Sequence, residues 1–142
     1  MAKHQIKYKS GYEYQLHEDY DHPQQLSITA PGDDIVTDYI ELSTDGHLRI
    51  KKGYAWDGPS GPTFDTPNFM RGSLMHDALY QLMRYKLIDK DTYRDDADRE
   101  LARICHEDGM SRLRAYWVYW GVRLGGGPAA DDKFMKKIHT AP

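Results

Sequence analysis

His76 and Asp77 stand side by side in a segment that reads as a helix from about Asn68 to Tyr85. On a helix, His76 shares a face with Ser73, Tyr80 and Met83. Asp77 lies about 100° further round, on the same half of the cylinder. An imidazole next to a carboxylate can divide a task, one acting as a base and the other holding a hard cation. The plainer reading of the same pair is a solvated Asp77 and a half-buried, hydrogen-bonded His76. Spacing alone leaves both open.

A second helix, Lys90 to Glu107, carries Asp95, Asp96, Asp98 and Glu100. Such a run is expected to be a solvated face. Asp98 is the exception, because it shares a face with Arg94, Leu101 and Cys105 and borders the apolar seam of Ala97, Leu101 and Ile104. If the two helices pack antiparallel, Asp98 reaches the His76 ring. An aspartate on one imidazole nitrogen fixes the tautomer and leaves the other nitrogen as a base. The alternative for Asp98 is a solvated charge.

A carbonyl-rich loop beside a helical carboxylate also suits calcium, which takes roughly six to eight oxygens. Asp57, Asp77 and carbonyls near Gly58 supply part of such a set. A third arrangement, a metal phosphohydrolase of the His-Asp helical class, would draw on His106 and His139.

These residues need elements to position them. Residues 54–67 hold two Gly and three Pro, which predicts a stiff, shaped loop and not regular structure. Before it, residues 5–55 read as a small antiparallel sheet. Gly11 to His17 and Leu26 to Thr29 alternate with period two, Ile35 to Leu42 is β-branched and aromatic, and Asp45-Gly46 is a hairpin signal before a strand from His47 to Lys51. After the loop come helices. Thr66-Pro67 reads as a cap and first turn, Asp89 as a second cap, Gly109 as a left-handed stop, and Ser111 as the cap of a third helix ending at Leu124. Ala115 to Trp120 is apolar nearly all round, which predicts a core helix. Cys105, on an apolar face, reads as an inert thiol.

The expected class is therefore α+β: a small N-terminal sheet (1–55), a Gly/Pro-rich loop (56–67), a three-helix unit (68–127) and a polar tail (128–142), in a single domain over 1–142. The 142 residues, 39% apolar and 29% charged, fit one globular domain. A mean hydropathy of -0.79, with no long apolar run, predicts no transmembrane segment. A net charge of -3 offers no field to gather nucleic acid. A lone cysteine excludes an intramolecular disulfide framework. The start, MAKHQIKYKSGYEY, has no apolar stretch of the signal-peptide kind, so synthesis in the cytoplasm is expected.

His76-Asp77-x-x-Tyr80 resembles the active-site helix of secretory phospholipase A2, in particular its prokaryotic branch. That resemblance implies His76 as the base that activates water, with Asp98 and Tyr80 as the pair that orients it. It also implies Asp77, Asp57 and the Gly58 carbonyl as calcium ligands. Asp57-Gly58 lies 19 residues upstream (57 to 76) and Asp98 22 residues downstream (76 to 98), close to the family's spacings. Leu101 stands where that family has Phe, and Pro59 and Pro62 lack backbone N–H groups that line its oxyanion site.

A second resemblance covers nearly the whole chain. GYAWDGPSGP, MRGSLMHDALYQLMR and ADRELARICHEDGM resemble a domain family of unknown function found in small phage, prophage and bacterial proteins. It implies a viral setting, virion association and phage structural proteins as partners. Two functions follow as expectations: a calcium-dependent hydrolase of an ester, lipids included, or a non-catalytic structural or lysis-associated phage component on the same scaffold.

Overall fold

A computed structural model describes residues 8–9, 14–23, 25–56 and 67–125. The fold is α+β. The described residues fall into two compact units, one within 8–56 and one within 67–125.

The first unit is built of short strands: β1 (Tyr8–Lys9), β2 (Tyr14–Leu16), β3 (Tyr20–Asp21), β4 (Ile35–Val36), β5 (Ile40–Leu42), β6 (Leu48–Ile50) and β7 (Ala55–Trp56). They form two antiparallel sheets, ordered β1-β2-β7 and β3-β6-β5-β4, where one sheet was expected. The β5–β6 register explains the larger sheet. Ile40 faces Ile50 and Leu42 faces Leu48, all buried, while Glu41 and Arg49 pair between them on the other face. Period-two alternation sends every second side chain inward. Gly46, at φ +86°, makes the turn, as its Asp-Gly signal requires.

Two strand expectations are corrected. Ile35 to Leu42 is not one strand, because the chain doubles back between β4 and β5. Thr37 and Ile40 exchange backbone and side-chain hydrogen bonds of 2.8–3.0 Å across that turn. Leu26 to Thr29 is not a strand. Leu26 is buried and its N–H donates to the Gly46 carbonyl, a single bond that leaves no ladder to extend.

The second unit is three helices: α1 (Pro67–Arg84), α2 (Lys90–Glu107) and α3 (Arg112–Gly125). Pro67 opens α1 at the position where its missing N–H costs nothing. Lys86, at φ +61°, ends the α1 turn, with the Leu87 N–H reaching back to the Leu82 carbonyl. Asp89 caps α2 by accepting from the Thr92 N–H at 3.0 Å. Gly109, at φ +106°, closes α2, and Met110 N–H bonds to Cys105 O at 2.9 Å, the double-bonded left-handed stop. Ser111 Oγ accepts from Arg114 N–H at the start of α3.

α1 and α2 are antiparallel, since contacts that move forward along one move backward along the other. Arg71 pairs with Glu107 and Asp108, His76 with Asp98, and Tyr80 with Arg94. Gly72 permits this approach: a Cβ there would stand 3.0 Å from both Cys105 Sγ and Leu101 Cδ1. Among the described residues, no helix is long and apolar enough to cross a membrane.

The expectation of a core helix at α3 is corrected. Ala115 and Val118 are buried, but Leu113, Tyr116, Trp117, Trp120 and Leu124 are exposed. One helix face is enough to pack on α2, and Tyr116, Trp117 and Trp120 point away from it. The carboxylate run on α2 is also not wholly solvated. Glu100 is buried, held by a two-pronged ion pair with Arg103 at 2.6 and 2.8 Å.

Candidate active site

Helical spacing brings His76 and Tyr80 one turn apart on α1, with ring centroids 4.2 Å apart. Across the helix interface, Asp98 of α2 is fully buried. Its Oδ1 accepts from His76 Nε2 at 2.6 Å and from the Tyr80 hydroxyl at 2.7 Å. A carboxylate can only accept, so Nε2 carries the proton of the neutral ring and Nδ1 is its unprotonated nitrogen. Nδ1 makes no hydrogen bond to the described residues, and the His76 side chain keeps 13% of its surface exposed.

The other Asp98 oxygen is engaged as well. Arg123 of α3 donates from Nη1 to Oδ2 at 3.3 Å. Arg94 of α2 donates from Nε to the Tyr80 hydroxyl at 3.3 Å, and from its terminal nitrogen to the Val122 and Arg123 carbonyls at 3.2 and 2.5 Å. One buried carboxylate therefore ties all three helices together. Burial first, then the hydrogen bond and charge of Asp98, push the Tyr80 hydroxyl far above its ordinary ionisation range. Tyr80 stays a neutral donor at physiological pH and keeps Asp98 oriented.

Alongside this cluster, Asp95 accepts from the Tyr119 hydroxyl at 2.6 Å and from Arg99 at 2.7 Å. The Tyr119 bond is the first cause that holds the Asp95 carboxyl below its usual range.

The structure thus joins His76, Tyr80 and Asp98. Asp77 is half-buried on α1. Asp57 and Gly58 lie outside the described residues, as does His139. A carboxylate such as Asp77 has the hard-oxygen chemistry calcium takes. Asp98 does not belong to that set, because both its oxygens serve His76, Tyr80 and Arg123. Among the described residues, no three His, Cys, Asp or Glu side chains gather as a metal-ligand group. His106, named for a phosphohydrolase set, instead donates from Nδ1 to the Met110 carbonyl at 2.8 Å, at the end of α2.

Nothing in the sequence marks Arg123 as a partner of Asp98. Its position in the last turn of α3 reads as an ordinary cation at a helix C-terminus. Only the α2–α3 packing turns it toward Asp98. Cys105 is fully buried, and burial pushes its thiol up to about 12, so it is no nucleophile.

Comparison of the chain with protein-family models, with curated proteins and with solved structures finds no match.

Proposed function

We propose that the helical unit carries a hydrolytic centre in which His76 is the general base and the substrate is an ester, lipids included. The observation that carries this reading is the double acceptance by Asp98 Oδ1, from His76 Nε2 at 2.6 Å and Tyr80 at 2.7 Å. It leaves Nδ1 as the acceptor of a partly accessible imidazole. In this reading Nδ1 takes a proton from water as the water oxygen bonds to the ester carbonyl carbon. Asp98 stabilises the imidazolium so formed. The imidazolium then returns that proton to the departing alkoxide as the carbon–oxygen bond breaks, giving acid and alcohol.

Asp77, with Asp57 and the Gly58 carbonyl, would hold calcium, which when bound supplies charge stabilisation for the carbonyl oxygen. Phage or prophage origin, with the virion as its setting, is part of the same proposal and rests on the three quoted motifs.

A second reading is favoured by one observation: Arg123 and Arg94 complete a network that spans all three helices. That is also what a brace needs. A non-catalytic structural or lysis-associated phage protein would keep the cluster for rigidity.

Fatty-acid release from mixed phospholipid micelles, with calcium and with chelator, separates the two. The hydrolytic reading expects calcium-dependent release, lost in His76→Gln and, for its calcium-dependent part, in Asp77→Asn. No release by the folded wild-type protein with calcium would favour the brace.

A further inference from the structure

α3 presents a continuous apolar stripe. Leu113, Tyr116, Trp117, Trp120 and Leu124 are 69, 55, 64, 41 and 82% exposed. At about 100° per residue they fall within one third of the helix circumference. Ala115 and Val118, which pack inward, lie opposite. Tyr116 stands edge-on to both Trp117 and Trp120, with centroids 5.8 and 6.4 Å away, so the stripe is a pre-packed ridge. Exposed apolar surface of this extent marks an interaction surface.

Three features identify the partner. The helix has no Asp or Glu, and while Arg123 is turned to Asp98, Arg112 stands exposed beside the ridge. Its ridge combines Trp and Tyr, which settle at the headgroup level of a bilayer, with Leu, which faces the acyl chains. Its 14 residues span only about 21 Å, too short to cross a bilayer but suited to lying in its surface.

We propose that α3 docks the protein in the plane of an anionic phospholipid surface, with Trp117 and Trp120 inserted and Arg112 beside the headgroups. Arg94 fixes the helix from beneath by holding its last carbonyls, so the ridge is offered on a rigid support. This surface does not depend on the hydrolytic reading: lipid binding can be measured whether or not esters are cleaved.

The test is co-sedimentation of the full chain with vesicles of equimolar phosphatidylglycerol and phosphatidylcholine, beside vesicles of phosphatidylcholine alone. Binding is expected to the anionic vesicles and to be much weaker on the zwitterionic ones. Trp117→Ala with Trp120→Ala should weaken it by about tenfold per tryptophan, and Arg112→Gln by about fivefold. Unchanged melting temperatures would show that these exposed changes leave the fold intact. If the double variant folds poorly, Leu124→Ser at the most exposed position carries the same expectation of weakened binding. Failure of the wild-type chain to bind anionic vesicles overturns the proposal, as does binding indifferent to the substitutions. So does sedimentation showing that the ridge instead pairs two copies of the chain.

Discussion

Each unit holds a tyrosine hydroxyl and an imidazole in one polar cluster, but the two histidines are placed for different tasks. In the sheet unit, Tyr20 OH meets His22 Nδ1 at 2.9 Å, and His22 is 1% exposed. In the helical unit, Tyr80 and His76 meet on Asp98, and His76 keeps 13% of its side chain open. A base that must take a proton from water needs both a fixed ring and access. His76 has both, whereas His22 is sealed.

The ion pairs differ in the same sense. Arg49, Asp19 and Asp21 pair on the open face of the larger sheet, with side chains roughly half exposed. The helical unit buries Arg71, Arg84, Asp98 and Glu100. Removing charge from water is costly, so buried charges mark a place where geometry is worth a stability penalty. The sheet unit is held by apolar pairs and backbone ladders, whereas the helical unit sets buried ion pairs into a core that is otherwise apolar.

That contrast breaks most visibly at Asp98. Asp98→Ala strands Tyr80, His76 and Arg123 together and should cost about 3–5 kcal/mol in urea unfolding. A loss under about 1 kcal/mol would mean that water already solvates the cluster.

High pH should act next. The Cys105 thiol is raised from an ordinary 9.0 to about 12, and the Tyr80 hydroxyl is raised above 10.0. Both ionise more readily in the unfolded chain. Their contribution to stability is whole below pH 9 and declines as pH rises from 9 through about 12. Urea midpoints at about pH 8 and about pH 10.5 should show the fall. Cys105→Ala should flatten its first part.

Gly72→Ala sharpens the view of the α1–α2 contact. Helix propensity favours alanine by up to about 1 kcal/mol, but a methyl crowding Cys105 and Leu101 at 3.0 Å costs about 1–3 kcal/mol. A net loss on the order of 1 kcal/mol is expected, and a gain would show that the interface yields. In the sheet unit, Asp19→Asn should leave the thermal melt unchanged, since its pair with Arg49 is open to water.

Helix boundaries were legible in the sequence because cap chemistry is local. Asp89, Gly109 and Ser111 each satisfy backbone groups within about one turn. The meeting of His76 with Asp98 was legible too, as two faces on one antiparallel pair. The split of Ile35 to Leu42 was not, because the Thr37 side chain and not a Gly or Pro makes the turn. The outward face of α3 was hidden for another reason. An apolar residue carries no mark of whether it packs on its own chain or waits for a partner, so Tyr116, Trp117 and Trp120 look like core until the packing is known. Buried Glu100 escaped similarly, since its pairing with Arg103 looks the same in sequence whether exposed or buried.

The central claim is that Asp98 holds His76 by Nε2 and presents Nδ1 as the base. Nitrogen-15 NMR of the His76 ring, at a pH where the ring is neutral, reads this directly. The expected spectrum is that of the Nε2–H tautomer, with Nδ1 showing the shift of an unprotonated nitrogen, and Asp98→Asn should release that preference. A protonated Nδ1 in the wild-type protein, or a ring averaging freely between both tautomers, would contradict the assignment of His76 as a positioned base.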